Sequence, residues 1–351
     1  MFKNKYLLAS LVTLLLMPAA MAASGYLFEK NKSEFKDNVA KVESRSYKFL
    51  TNPEEGKDAE ALIESLLAKV KDAAKKEGYE FVERKKGPDW RYAEKRYLDT
   101  PNHDLYKKGF VIRENYRFKK GEGPDPEKFV LTVKEMSPND FMRLVNSKLA
   151  PIAGSDSLVK FEENISLTAD GAAQSYFESA IGSKVSNADL GKRTLGDYGK
   201  LYPEFLNLGL AADTPLAPVT GYSVQLKFGG FKLPDGTVAD GDIEVWTEGP
   251  GGKPFVAEVA FDGAGYDASP EHMKAEEDFF TKVFGGSAMK SLALTNGYGY
   301  MGSKVRTLFD ESHDSGTVAA PATAPAGAAA PAAAPTPAGA SAKSKKNDLD
   351  S

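Results

Sequence analysis

The order of the predicted elements places this chain in the α+β class, with an antiparallel β-sheet or β-barrel flanked by helices. One strand and one helix come first, a long run of strands follows, and helices come last. The strands are joined mainly by short hairpin connections, and nothing alternates between strand and helix as a parallel sheet requires. Two terminal segments of the 351-residue chain are predicted to lie outside this domain.

The first half of the domain is predicted to contain three strands and one helix. Residues 35–50 include an alternating strand, and residues 79–85 and 92–99 form two more. Residues 58–76 carry apolar side chains at helical spacing, with Asp58 able to cap the start and Gly78 to end the helix. The helix is therefore amphipathic.

The second half is predicted to contain a hairpin, an insert, further strands and closing helices. Strands are predicted at residues 110–118, 128–134, 157–166, 221–233, 241–247 and 254–261. Helices are predicted at residues 172–181, 270–284 and 289–309. The first two strands form the hairpin, because their connector is rich in Gly, Pro and charge. The insert lies near residues 168–215 and is of mixed character.

Residues 1–22 have the pattern of a secretory signal peptide. Lys3 and Lys5 give a positive start, residues 6–17 are an apolar run, and Ala20-Met21-Ala22 is a small-x-small cleavage site. The apolar run is shorter than the ~20 residues that a spanning helix needs; an uncleaved N-terminal anchor is the alternative. We therefore expect a periplasmic or secreted protein with no transmembrane span after cleavage.

The composition restricts the protein further. It has no cysteine, which excludes disulfides, a lipid-anchored lipoprotein, thiolate metal sites and a cysteine nucleophile. Residues 315–351 are rich in Ala and Pro and end in charged residues, so they predict a disordered tail and leave residues 26–312 as the folded domain. A net charge of −4 gives no nucleic-acid signature, and the sequence leaves the identity of any protein partner open.

Charged side chains recur on one face of several predicted strands. Side chains alternate between the two faces of a strand, so residues two apart share a face. The charged residues in this pattern are Arg113, Arg117, Lys134, Lys160, Glu162, Lys227, Asp242, Glu244 and Glu258. An ordinary sheet with one solvated face would explain each of them singly. In a closed barrel they would offer cations to phosphate oxygens and carboxylates to a divalent metal.

Two stretches of the sequence resemble the CYTH family, the triphosphate tunnel metalloenzymes. The first runs from Tyr97-Leu98-Asp99-Thr100-Pro101 through Leu105 and Gly109 to Arg113. The second is Asp242-Ile243-Glu244-Val245-Trp246, then a Gly-rich turn and residues 254–261. The resemblance implies a tunnel-like antiparallel barrel that binds a triphosphate, a polyphosphate or another phosphorylated anion. It also implies a divalent cofactor, Mg²⁺ or Mn²⁺, and hydrolysis or nucleotidyl chemistry.

The resemblance also implies roles for individual residues, although it identifies no catalytic residue. The substrate-binding cations are Arg113, Lys134 and Lys227, to which the strand pattern adds Arg117 and Lys160. The carboxylates that hold a metal or position water are Glu162, Glu244 and Glu258.

Three positions depart from the family pattern. The family begins with Glu-x-Glu-x-Lys, whereas residues 43–48 read Glu-Ser-Arg-Ser-Tyr-Lys, so Arg45 replaces an acid unless the strand register slips by one. Ala260 replaces the second acid after Glu258, and Lys227 stands where arginine is common. The loss of two carboxylates should weaken or remove the metal site. Three hypotheses stay open: a metal-dependent phosphohydrolase, an inactive anion-binding module, and an envelope-interaction protein.

Overall fold

The computed structural model describes residues 26–137, 141–146, 158–168, 171–294 and 304–309. The predicted signal peptide and the predicted tail lie outside the described residues. The strands are β1 (Ser44–Thr51), β2 (Glu80–Glu83), β3 (Asp89–Asp99), β4 (Phe110–Phe118), β5 (Phe129–Ser137), β6 (Leu158–Leu167), β7 (Ala173–Val185), β8 (Ala217–Lys232), β9 (Val238–Thr247) and β10 (Pro254–Ala264). The α-helices are α1 (Leu27–Phe35), α2 (Ala59–Lys76), α3 (Asp104–Lys107), α4 (Phe141–Val145), α5 (Asn187–Leu190), α6 (Leu195–Leu201), α7 (Pro270–Gly285), α8 (Ser287–Lys290) and α9 (Lys304–Phe309).

Nine of the strands close into a barrel. Their order is β8-β3-β4-β5-β7-β6-β1-β10-β9, and β9 pairs with β8 to complete the circle. The short β2 pairs with the end of β8 that extends beyond β3. Among the described strands, only the β1–β6 pair is parallel. The predicted antiparallel barrel flanked by helices is therefore confirmed, with this one pair as a correction: β1 enters between β6 and β10, and no hairpin joins it to β6.

Two long helices cover one side of the barrel. The apolar faces of α2 and α7 pack on the outward side chains of β1, β8, β9 and β10, with Leu66 and Phe280 among the fully buried residues. Helix α2 begins as predicted, because the Asp58 carboxylate accepts a hydrogen bond of 2.8 Å from the Ala61 amide. None of the described helices is long and apolar enough to cross a membrane.

A second cover comes from the segment after β7. Its apolar side chains are fully buried against the outer faces of β4 and β5; they are Leu190, Leu195, Tyr198, Tyr202 and Phe205. The helix predicted at residues 172–181 is wrong, because these residues lie in strand β7. Hydrogen bonding to β5 on one side and β6 on the other fixes that strand, and this tertiary pairing overrides the weak helical pattern.

One end of the barrel interior is filled by an apolar plug. It consists of Leu50, Tyr97, Val111, Trp246, Val256 and Phe309. Helix α9 supplies Phe309, whose ring centroid lies 6.2 Å from that of Tyr97. The single helix predicted at residues 289–309 is wrong, because α8 ends at Lys290 and only α9 follows in the described part. At the other end the inward side chains of β4 lead to the exposed Arg117, so the polar lumen opens there.

Candidate functional site

The barrel encloses a polar cavity of about 150 Å³. Among the described residues, nine basic side chains line it: Lys48, Arg91, Lys95, Arg113, Arg117, Lys134, Lys160, Lys227 and Lys304. Six acidic side chains also line it: Glu162, Glu178, Asp242, Glu244, Glu258 and Asp262. The lumen therefore contains more potential cations than anions, although the whole chain carries a net charge of −4.

All eight site residues that the sequence predicts face this one lumen. The five cations and three carboxylates come from six strands: Arg113, Arg117, Lys134, Lys160, Glu162, Lys227, Glu244 and Glu258. Strand parity brings them together, because inward and outward side chains alternate around a closed barrel. Their predicted roles toward phosphate and metal stay predictions.

One wall of the lumen holds a cluster of alternating charges on β1, β5, β6 and β7. The Lys134 ammonium donates to Oε1 of Glu178 over 2.7 Å. Glu162 binds Lys160 and has Lys48 at 3.9 Å. Although burial opposes ionisation, Lys134 and Lys48 lower the pKa of Glu178 to about 2. Glu178 is therefore charged at neutral pH, and both carboxylates bind lysines.

The opposite wall is built on β3, β9, β10 and helix α9. Glu244 and Glu258 are directly paired across two adjacent strands, and the Lys304 ammonium lies 2.5 Å from an oxygen of each. Glu244 also binds Lys95. Burial, the nearby Arg113 and Lys304 together lower the pKa of Lys95 to about 8, and the attraction of Glu244 limits the shift.

Arg113 differs from the lysines around it. Its side chain points into the lumen and is 8% exposed. One guanidinium nitrogen donates to the Thr132 hydroxyl over 3.3 Å, whereas Nε has no hydrogen-bond partner. Within the described part of the chain, Arg113 forms no ion pair with a carboxylate. The neighbouring Asn115 also has a buried amide oxygen without a partner. The centre of the lumen therefore contains unsatisfied polar atoms that a ligand could bind.

The carboxylates do not fit a divalent metal. Glu162 is committed to lysines on one wall, while Glu244 and Glu258 share Lys304 on the other. Over the described ranges, no group of three acidic or histidine side chains is placed to hold a metal ion. A cation between Glu244 and Glu258 would have to displace the Lys304 ammonium, so the predicted three-carboxylate set is divided.

The directions of the side chains on strand β1 show how residues 43–48 correspond to the Glu-x-Glu-x-Lys pattern of the resembled family. Ser46 and Lys48 face the lumen, and the Ser44 hydroxyl donates to Glu162 over 3.3 Å. Arg45 and Tyr47 face outward. The lysine of the family pattern therefore corresponds to Lys48, and the two acids correspond to Ser44 and Ser46. The interpretation that Arg45 replaces a lumen acid is wrong, because the register places its side chain outside the barrel.

Several lumen residues were missed by the sequence reasoning. Lys95 lies two residues before Tyr97 on a predicted strand, so the two side chains point to the same face. This alternation could have identified Lys95 as a lumen residue. Glu178 was hidden by the wrong helix prediction for β7. Lys304 lies in a stretch predicted as one long helix, and only the fold brings it to the lumen.

Comparison with solved structures finds proteins of similar fold. One is a putative adenylyl cyclase from Hippeastrum, described as having a dominant triphosphatase activity; the identity is 14% over 76% of this chain and 95% of that chain, with a TM-score of 0.38. Another is a putative adenylate cyclase from Bacillus halodurans, with 12% identity over 77% of this chain and 98% of that chain and a TM-score of 0.36.

A protein from Pyrococcus horikoshii matches with 14% identity over 68% of this chain and 89% of that chain, with a TM-score of 0.28. The likeness is one of fold alone. No family model and no curated protein matches the chain.

Proposed function

We propose that this protein binds a phosphorylated anion in the polar lumen of its barrel. The observation that carries the proposal is Arg113, a buried guanidinium whose Nε has no hydrogen-bond partner and which forms no ion pair with a carboxylate among the described residues. A buried charge without a counter-ion costs several kcal/mol. A phosphoryl group offers both negative charge and acceptor oxygens that match the planar fork of arginine.

The composition of the lumen supports the same proposal. The basic side chains that line it outnumber the acidic ones among the described residues, and a cleft lined by excess charge of one sign concentrates ligands of the opposite sign. Asn115 and the exposed Arg117 lie between Arg113 and the open end on the same strand face. They form a polar path from solvent to the buried guanidinium.

Binding of the anion without metal-dependent hydrolysis agrees better with the described residues of the lumen. The carboxylates expected to hold the metal, Glu162, Glu244 and Glu258, are paired with lysines. A ligand that replaced no carboxylate could still contact Arg113, which is not paired with one.

We also propose that the protein is exported to the periplasm or secreted, on the basis of residues 1–22. Fractionation followed by N-terminal sequencing tests this. A mature chain that begins at Ala23 in the periplasmic or secreted fraction is the expected result. An intact N-terminus in the membrane fraction would instead establish the uncleaved anchor.

Calorimetric titration with tripolyphosphate, at low salt and with EDTA, tests the anion-binding proposal. Because a hydrogen bond to a charged group contributes about 1.5–3 kcal/mol, Arg113→Gln should weaken binding by about ten-fold or more. The matched control is Lys75→Gln, which removes one positive charge from the exposed face of α2, outside the barrel. Equal affinities for the wild-type protein and Arg113→Gln would overturn the proposal.

A further inference from the structure

We infer that Lys304 takes the place of a divalent cation in this lumen, so that the protein binds its phosphorylated anion without a metal cofactor. The inference deepens the proposed function and rests on it for the identity of the ligand. Its structural part, the replacement of a metal by a tethered ammonium, stands on the geometry around Glu244 and Glu258.

The register of β9 and β10 places two carboxylates side by side, and this arrangement requires a cation between them. Glu244 on β9 and Glu258 on β10 are direct neighbours across the two strands, and both side chains face the lumen. Like charges in directly opposed positions of a sheet destabilise it unless a cation lies between them. Two facing carboxylates are also a common starting point for Mg²⁺ or Mn²⁺ binding, together with water or phosphate oxygens.

The Lys304 ammonium occupies the position between the two carboxylates. Its Nζ lies 2.5 Å from Glu244 Oε2 and 2.5 Å from Glu258 Oε1, and its side chain is 13% exposed. Burial alone would lower the pKa of Lys304, but the two carboxylates raise it above its usual value. The same arrangement holds the pKa of Glu244 well below its usual range against the effect of burial. The ammonium therefore lies where a cation that bridges the two carboxylates would lie.

Helix α9 holds Lys304 in this position from inside the apolar plug. The ring centroid of Phe309 lies 4.8 Å from that of His103 and 5.1 Å from that of Tyr106. A Cβ added at Gly221 would lie 3.6 Å from Leu308 and 3.4 Å from Trp246, so α9 lies close against β8. Lys304 is thus anchored by the packing of Leu308 and the buried Phe309 on its own helix, unlike a mobile surface lysine.

Further cations and missing acids work against a metal at the same place. Lys95 binds Glu244 from the other side, so a divalent ion would meet two ammonium groups. Ala260, which also faces the lumen, supplies no oxygen ligand. The chain has therefore replaced the metal's charge with positive side chains of its own.

Binding of Mn²⁺, measured by electron paramagnetic resonance without any phosphorylated ligand, tests the inference. Lys304→Met removes the ammonium and leaves Glu244 and Glu258 facing each other. We expect this variant to bind Mn²⁺ at least about ten-fold more tightly than the wild-type protein, since one repelling charge a few ångströms away is removed. Lys304→Arg keeps a cation and should show no gain.

Two controls separate the outcomes. Lys160→Met removes a lumen lysine from the opposite wall and should not create the tighter Mn²⁺ site. Circular dichroism and thermal melting establish that each variant is folded, and Lys304→Gln provides a second neutral variant if Lys304→Met does not fold. Tight Mn²⁺ binding by the wild-type protein, or no gain in a folded neutral variant, would overturn the inference. Neither result depends on whether tripolyphosphate binds.

Discussion

Arg45 on β1 and Glu276 on α7 form a buried ion pair on the outer face of the barrel, with Nη2 of the arginine donating to Oε2 of the glutamate. The Arg45 side chain is fully buried, and its Nε also donates to the Ala264 carbonyl over 2.8 Å. The pair joins the barrel to the helix that covers it. Arg45, the first residue that departs from the family pattern, therefore stabilises the fold and does not contact the lumen.

Arg45→Ala should lower the free energy of unfolding by about 3–5 kcal/mol, because the buried Glu276 carboxylate loses the arginine and keeps only the Ala264 amide and His272 beside it. Urea denaturation followed by circular dichroism measures this loss. The double variant Arg45→Met with Glu276→Gln should lose less, because no uncompensated charge remains. A loss below about 1 kcal/mol in Arg45→Ala, the range of an exposed pair, would contradict the structural role.

The affinity for tripolyphosphate should fall as the pH rises from 7 to 9. Lys95 lines the lumen and its pKa is lowered to about 8, so it is mostly charged at pH 7 and mostly neutral at pH 9. Calorimetry across this range should show a loss of affinity of about three- to ten-fold from this group. Lys95→Met is the control, because it retains any titration of the ligand itself. An identical pH dependence in both proteins would contradict the prediction.

Glu277 should make stability fall as the pH rises from about 4 to 7. Both its carboxylate oxygens accept a hydrogen bond from the Leu27 amide at 3.2 Å, and burial raises its pKa to about 7. The unfolded value is about 4.3, so between the two values the folded protein holds a proton that the unfolded chain releases. The stabilisation is complete below the unfolded pKa and is lost as the pH passes 7.

Glu277→Gln should therefore be more stable than the wild-type protein at pH 8 and close to it near pH 4. Urea denaturation at the two pH values measures the difference. Glu271→Gln, which changes an exposed carboxylate on the same helix, should show no comparable change with pH. A variant that is less stable than the wild-type protein at pH 8 would show that the ionised carboxylate is favoured there.

No Mg²⁺- or Mn²⁺-dependent release of phosphate from tripolyphosphate is expected. The lumen pairs its carboxylates with lysines, and Ser44, Ser46 and Ala260 stand where the resembled family has acids. A phosphate-release assay with each metal tests this. Release that disappears in both Arg113→Ala and Glu258→Ala would contradict the expectation and support the metal-dependent phosphohydrolase.

Strand parity made much of the lumen predictable from sequence. Arg113 and Arg117 lie two residues apart on one predicted strand, and the same rule placed Glu244, Glu258 and Lys227 on inward faces. The alternation of side chains is a local property of a strand, so it can be read from the sequence without knowing the neighbouring strands. The order of strands and helices likewise indicated the fold class.

The remaining features depend on contacts between distant parts of the chain. The two faces of β1 could not be distinguished, because Arg45 is buried outside the barrel and Lys48 lines its interior. The β7 segment has a weak helical pattern that pairing with two strands overrides. Lys304 reaches the lumen only because α9 packs into the apolar plug, and no local signal marks such a contact.

The most direct test of the central claim is a crystal structure of the protein with tripolyphosphate bound in the presence of EDTA. The account predicts phosphoryl oxygens in the lumen, within hydrogen-bond distance of the Arg113 guanidinium, with Lys304 still between Glu244 and Glu258. A ligand bound only to the outer surface would contradict it, as would a lumen in which the guanidinium makes no contact with the ligand.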